Sequence, residues 1–145
     1  MGKIAWGRVI LGGVVAGILW FIFEGVVQGY LLGQEWHTAM AALGRSEEEM
    51  KAGAGHFMLL VSAWCFLAGI AGVWLYAAIR PRFGPGPQTA VTAGIGLWAM
   101  IYFAPSIFDF ALHLWPSKLI LIPMFTSFFE SIIATLVGAW LYKEA

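Results

Sequence analysis

Residues 9–32 read VILGGVVAGILWFIFEGVVQGYLL, an apolar run in which Glu24 is the one charged side chain. A membrane-crossing α-helix needs about 20 mainly apolar residues to span roughly 30 Å of hydrocarbon. Three more runs of this kind occupy residues 56–79, 89–112 and 119–142. They are long and continuous, whereas membrane β-strands would show alternating segments of about ten residues. We therefore predict an all-α fold: a transmembrane four-helix bundle, formed by a single integral membrane domain over residues 1–145.

The composition of the chain agrees with an integral membrane protein. Its 145 residues are 61% hydrophobic and 11% charged, whereas about a quarter of the residues in a soluble domain are charged. The formal net charge is zero, so the chain has no basic excess of the kind that binds nucleic acid. Cys65 is the one cysteine, which excludes an internal disulfide. We expect the lipid bilayer as a partner and no nucleic acid.

The linkers between the spans differ in character. Residues 80–87 contain three prolines and two glycines, and they predict a tight turn because neither residue type continues a helix well. The longer segment 34–55 contains Ser46 followed by Glu49, a capping box that predicts the start of a helix leading into span two. Ahead of it, three apolar side chains predict a short helix along the membrane surface: Trp36, Met40 and Leu43.

The basic residues are divided unequally between the two ends of the spans. One end carries Lys3, Arg8, Arg80, Arg82 and Lys143, and the other carries Arg45, Lys51 and Lys118. In membrane proteins the cytoplasmic loops carry the excess of Lys and Arg. We therefore predict that both termini and the turn at 80–87 are cytoplasmic, and that segment 34–55 is external.

Two pairs of similar segments indicate an internal repeat. Spans two and four contain Gly72-Val-Trp-Leu-Tyr76 and Gly138-Ala-Trp-Leu-Tyr142, and spans one and three contain Ala16-Gly-Ile-Leu-Trp20 and Ala93-Gly-Ile-Gly-Leu-Trp98. This pattern predicts two parallel-repeat helical hairpins, as in some transporters. The alternative is that Trp and Tyr are frequent at membrane interfaces and Gly within membrane helices.

Small residues four positions apart predict close packing of the helices. The pairs are Gly13 with Gly17, Ala68 with Gly72, and Ala134 with Gly138. Such pairs let helix backbones approach closely. The close packing serves either the bundle itself or the interface of a homo-oligomer.

Six polar side chains within the predicted spans form the main functional hypothesis: Glu24, Gln28, Tyr102, Ser106, Asp109 and Glu130. An ionised side chain at the bilayer centre costs at least ~2.5–3.5 kcal/mol, so such groups normally face the bundle interior. Helical spacing puts four polar residues on one face of span three: Tyr102, Ser106, Asp109 and His113. We expect a ligand-binding or proton-linked site in a polar funnel that opens externally. The alternative is that the carboxyl groups only pair internally.

The three histidines all map to the external side of the predicted bundle: His37, His56 and His113. His113 lies one helical turn after Asp109, a carboxylate that could orient its imidazole as in many metal sites. A metal or haem site is therefore a second hypothesis. The competing interpretation is that these histidines only form hydrogen bonds at helix ends.

Motifs of soluble enzymes are absent from the sequence, since it has no GxSxG, Walker, GxGxxG or HExxH pattern. This favours a non-enzymatic function. Three alternatives remain open. The first is a protein that binds or transports a small ligand, cation or proton. The second is a structural or accessory subunit of a larger membrane complex, and the third is a haem- or metal-binding membrane protein.

Several short motifs resemble one family of bacterial proteins. They are Gly17-Ile-Leu-Trp20, Gly33-Gln-Glu-Trp36, Ser46-Glu-Glu-Glu-Met-Lys-Ala-Gly53, Pro116-Ser-Lys-Leu119 and Gly138-Ala-Trp-Leu141. The chain is similar in these motifs to an uncharacterised family of small four-helix inner-membrane proteins, known only as a domain of unknown function. The resemblance implies a bacterial inner-membrane location and a four-span topology, and it implies no site residues.

Overall fold

A computed structural model describes residues 4–142 of the chain, so Lys3 and Lys143 of the predicted charge pattern lie outside the described residues. Its elements are helical in type. In chain order they are α1 (Trp6–Glu24), a π-helical segment (Gly25–Leu31), α2 (Gly33–Ala42), α3 (Glu47–Phe83), α4 (Pro87–Trp98), a second π-helical segment (Ala99–Phe103), α5 (Ala104–Ala111) and α6 (Ser117–Leu141). The predicted all-α four-helix bundle is confirmed.

Four helical stretches are long and apolar enough to cross a membrane. They are span 1 (Trp6–Leu31), span 2 (Glu47–Phe83), span 3 (Pro87–Ala111) and span 4 (Ser117–Leu141). Span 2 contains its apolar run entirely, and each of the other three covers all but the last residue of its run. The mean hydropathy of their most apolar windows lies between 1.6 and 2.2.

Span 2 is longer than the hydropathy predicts because of how its two ends are capped. At its start, the Ser46 side chain accepts from the Glu49 amide and the Glu49 side chain accepts from the Ser46 amide, which confirms the predicted capping box. At its end the helix continues through Pro81 to Phe83. The prediction of a turn over all of residues 80–87 is therefore wrong in its first half. The turn begins at Gly84, where φ is +84°, a value that glycine adopts without strain.

Glycines bring α1 and α3 into close contact. A Cβ atom added at Gly69 would lie 2.4 Å from the carbonyl oxygen of Gly13 and 2.4 Å from the amide nitrogen of Gly17. Only a missing side chain permits this approach of two helix backbones. The predicted pair Gly13 and Gly17 therefore packs within the bundle, against a glycine that the pattern analysis did not single out.

The two hairpins make equivalent contacts. A Cβ added at Gly17 of span 1 would lie 2.8 Å from Cα of Phe66 in span 2. A Cβ added at Gly94 of span 3 would lie 2.9 Å from Cα of Ile132 in span 4. The sequence separation from Phe66 to Ile132 is the same as that between the two similar Gly-x-Trp-Leu-Tyr segments. These contacts support the parallel repeat.

The tyrosines of the two similar segments also make equivalent contacts. They lie at the end of the bundle where the described chain begins. The Tyr76 hydroxyl accepts from the amide of Gly86, just ahead of span 3, at 3.4 Å. The Tyr142 hydroxyl accepts from the amide of Ala5, just ahead of span 1, at 3.2 Å. Each tyrosine thus ties its own hairpin to the first helix of the other hairpin. The two rings meet edge to face with 6.0 Å between centroids.

Candidate functional site

A chain of hydrogen bonds joins spans 1 and 3 in the middle of the bundle. The indole N–H of Trp20 donates to the Tyr102 hydroxyl at 3.1 Å, and this hydroxyl donates to the Glu24 carboxyl. Trp20 is fully buried, and its ring stacks on that of Tyr102 with 4° between the planes. Because an indole N–H only donates, it leaves the Tyr102 proton free to point at Glu24.

Gln28 carries this network toward the outer end of span 1. The indole N–H of Trp36 donates to Oε1 of Gln28 at 2.8 Å. The other end of the Gln28 side chain hydrogen-bonds to Glu24. Since Trp36 belongs to α2, the network connects a helix beyond the end of span 1 with a carboxyl group inside the span.

Glu130 lies deeper in the bundle than this network. It is 3% exposed, and its Oε1 has no hydrogen-bond partner in the part of the chain that the structure describes. The charges of Glu130 and Glu24 interact. Among residues 4–142, no basic side chain forms an ion pair with either carboxyl. Two carboxyl groups inside an apolar bundle, neither in an ion pair with a described basic side chain, are candidates for a proton-linked role.

Three of the polar residues of spans 1 and 3 lie in or next to the two π-helical segments. Glu24 caps Gly25–Leu31, which contains Gln28, and Tyr102 lies in Ala99–Phe103. π-Helical turns are rare and are frequent at functional sites. In span 3 a cause is visible in the sequence. Pro105 has no amide hydrogen, so the carbonyl four residues earlier has no helical donor there.

A cavity of about 180 Å³ lies between spans 1, 3 and 4, toward α2. Four of the six predicted polar residues line it: Gln28, Tyr102, Ser106 and Asp109. Glu24 and Glu130 do not line it; Glu24 hydrogen-bonds to Tyr102, which does. Apolar side chains of α6 form the opposite wall. The cavity is small compared with drug-binding pockets, which measure roughly 300–1,000 Å³.

Aromatic and charged side chains surround the mouth of this cavity. Trp36 and Trp115 line it, and their rings meet at 70° with 5.2 Å between centroids. Next to them in sequence, the Lys118 ammonium forms an ion pair with the Glu35 carboxylate. This pair joins α2 to α6. The hydrogen bond from Lys118 lowers the pKa of the Glu35 carboxyl below its ordinary value.

The histidines do not converge. His37, His56 and His113 are all exposed, and His37 lies 3.9 Å from the Glu47 carboxylate. Within residues 4–142 no three His, Cys, Asp or Glu side chains are arranged to hold a metal ion. The positions of these three histidines therefore give no support to the predicted metal site. The haem alternative depended on the same residues, and their positions give it no support.

His113 also departs from the predicted polar face of span 3. The helix ends at Ala111, and His113 has a φ of +50°, so it does not continue the helical spacing from Asp109. Its ring lies 6.4 Å from that of Phe110. The predicted contact of Asp109 with His113 is absent, because the chain leaves the helix before one full turn is completed.

Four tryptophans belong to the site although the sequence did not point to them: Trp20, Trp36, Trp64 and Trp115. Trp64 of span 2 contacts the ring of Tyr102 edge to face with 5.6 Å between centroids. An indole inside a polar cluster supplies one donor and a large apolar face. The available signal was the position of Trp20 on the same face of span 1 as Glu24 and Gln28, at intervals of four residues.

No protein-family model, curated protein or solved structure matches this chain.

Proposed function

We propose that this protein is a membrane-embedded binding protein or transporter for a small polar ligand, held in the cavity between spans 1, 3 and 4. One observation carries the proposal: four polar side chains from two spans line a single cavity inside an otherwise apolar bundle. In hydrocarbon, polar side chains are costly and normally mark a ligand or ion pathway. We also propose a bacterial inner-membrane location with both termini in the cytoplasm, so that the cavity opens to the external side.

The two buried carboxyl groups support transport over simple binding. Glu24 is linked to the cavity through Tyr102 and Gln28. Glu130 lies six residues further along α6 than the cavity-lining Met124, or about 9 Å deeper at 1.5 Å per residue. A proton or cation held there would lie below the ligand, on the way to the opposite side of the bundle.

The first experiment measures solute binding by the purified, reconstituted protein. Small polar solutes of differing charge are screened for their ability to raise its thermal unfolding temperature. Ser106→Leu fills the cavity and should abolish the stabilisation. Phe108→Leu is the matched control, because Phe108 is on the same helix and 71% exposed. Equal stabilisation of both variants by every active solute would refute the proposed cavity.

The second experiment tests the buried carboxyl groups in liposomes. A solute that binds is loaded on one side, and its flux is followed with and without a pH gradient. Glu24→Gln and Glu130→Gln should each abolish the dependence of flux on the gradient, because each removes a titratable proton while keeping the side-chain shape. Unchanged gradient-driven flux in both variants would refute proton coupling. Co-purification of a stable partner, together with fully functional Gln variants, would favour the accessory-subunit alternative.

A further inference from the structure

The walls of the cavity carry a charge of one sign. Asp109 contributes a carboxylate, and among residues 4–142 no lysine, arginine or histidine lines the cavity. Lys118 is next in sequence to Leu119, which does line it, but its ammonium is paired with Glu35. Within the described chain no ion pair neutralises Asp109. The cavity is therefore electronegative, and it disfavours anionic ligands.

Aromatic side chains form another part of the cavity wall. Trp36, Trp115 and Tyr102 all line the cavity. The Trp36 indole N–H is already used by Gln28, and the Tyr102 hydroxyl is already used by Glu24. The ring of Tyr102 also packs against Trp20 and Trp64, so the ring surface available to a ligand is mainly that of Trp36 and Trp115. An aromatic face attracts cations, and tryptophan attracts them most strongly.

From these two properties we infer that the ligand is a small organic ammonium ion, held by the Asp109 carboxylate and by the tryptophans at the cavity mouth. This inference rests on the proposed function of the cavity. An inorganic cation that loses its water needs several oxygen ligands, and only four of the twelve lining residues, Gln28, Tyr102, Ser106 and Asp109, carry side-chain oxygens. An ammonium ion with small alkyl groups matches both the charge and the apolar walls.

The test compares three probes of nearly the same shape and different charge: tetramethylammonium, tert-butanol and pivalate. Binding to the reconstituted protein is followed by tryptophan fluorescence and by the shift in thermal unfolding temperature. Tetramethylammonium should bind at least tenfold more tightly than tert-butanol, and pivalate should not bind. Asp109→Asn should weaken tetramethylammonium binding at least tenfold. Glu48→Gln, which removes an exposed carboxylate far from the cavity in sequence, should leave binding unchanged.

The aromatic contribution has its own pair of variants. Trp115→Phe keeps a ring and Trp115→Leu removes it, so affinity for tetramethylammonium should fall in the order Trp, Phe, Leu. Affinity for tert-butanol should change by the same small factor in both variants. Equal affinity of the Phe and Leu variants for tetramethylammonium would overturn the aromatic part of the inference, provided both unfold cooperatively.

The results separate this inference from the proposed function. If tert-butanol or pivalate binds as well as tetramethylammonium, and Ser106→Leu abolishes that binding, the cavity is a binding site and the ammonium class is wrong. If none of the three probes binds and no solute in the wider screen stabilises the protein, both proposals are wrong. If the Asp109→Asn variant still binds tetramethylammonium in preference to tert-butanol and pivalate, the role given to Asp109 is wrong.

Discussion

Replacing Gly69 by alanine tests the contact on which the bundle depends. The added methyl would lie 2.4 Å from the Gly13 carbonyl oxygen, 2.4 Å from the Gly17 amide nitrogen and 2.8 Å from the Gly17 Cα. Ordinary contacts of a Cβ begin at 3.4 Å, so α1 and α3 must separate by about 1 Å. All three neighbours are backbone atoms, and no side-chain rotation can relieve the clash.

The expected loss follows from this separation. A gap of ~0.5–1 Å removes roughly a quarter to a half of the dispersion energy of each contact along the seam. Overpacking a well-packed interior typically costs about 1–3 kcal/mol. Against this, alanine in place of glycine favours a helix by up to ~1 kcal/mol. We therefore expect the free energy of unfolding of Gly69→Ala to be about 1–3 kcal/mol lower than that of a control variant in which alanine only adds its higher helix propensity.

Gly55→Ala is that control, because Gly55 lies in the same helix and has nothing within 4 Å of an added Cβ. Gly96→Ala is a second control in another span, since its Cβ would meet only Leu75 Cδ2, at an ordinary contact distance of 3.6 Å. The assay is unfolding in mixed micelles of increasing SDS content, followed by tryptophan fluorescence. Stability should rank Gly69→Ala below both other variants. If Gly69→Ala is as stable as Gly55→Ala, the described contact between α1 and α3 is incorrect.

Three further predictions concern the polar residues. Tyr102→Phe leaves the buried indole of Trp20 without its acceptor and should lower the free energy of unfolding by about 1–3 kcal/mol in the same assay. Tyr30→Phe, at an 84% exposed residue, should cost nothing measurable. The ion pair of Glu35 with Lys118 should be intact above the ordinary pKa of a Glu carboxyl, and it should be lost as pH falls through the lowered pKa of Glu35. NMR titration of Glu35 checks this. In the Lys118→Gln variant the pKa of Glu35 should return toward the ordinary value. Glu130→Gln should unfold no more readily than the parent protein, because Glu130 Oε1 has no partner to lose among the described residues; a large loss of stability would show that Glu130 has a structural partner.

The fold follows from the sequence where a strong physical constraint acts. Apolar runs of sufficient length must be helical in a membrane, so the four spans were predictable. Hydropathy alone does not give their ends: the capping box of Ser46 and Glu49 predicted where span 2 begins, whereas its continuation through Pro81 to Phe83 was not predicted. Span 2 extends from Glu47 to Phe83, set by the Ser46 side chain at one end and by Gly84 at the other.

The site was predictable in part for the same reason. Polar residues in apolar spans are conspicuous, and Gln28, Tyr102, Ser106 and Asp109 do line one cavity. The aromatic mouth was not predictable, because it joins α2 to the start of α6 across a long sequence separation. His113 was misplaced because helical spacing was extended past Ala111, beyond the point where the helix ends.

The repeat explains why the polar cluster lies where it does. Aligning Trp20 with Trp98 pairs Glu24 with Tyr102, and these two side chains hydrogen-bond to each other. Residues at equivalent positions in two related hairpins can meet only near the axis that relates the hairpins. The same alignment of spans 2 and 4 pairs Trp64 with Glu130, and Trp64 also contacts Tyr102.

The contacts of Gly17 and Gly94 are alike, whereas Gly69 corresponds to Thr135 and the side chains near this axis also differ. One hairpin contributes Glu24 and Trp64, and the other contributes Tyr102 and Glu130. If both hairpins carried the same side chains there, the two halves of the cluster would be equal. Each side chain would then bond to its equivalent in the other hairpin. Because the two hairpins differ there, the Glu24 carboxyl is hydrogen-bonded, whereas Oε1 of Glu130 has no hydrogen-bond partner among the described residues. The two hairpins therefore differ in the side chains that would hold the proposed proton or cation.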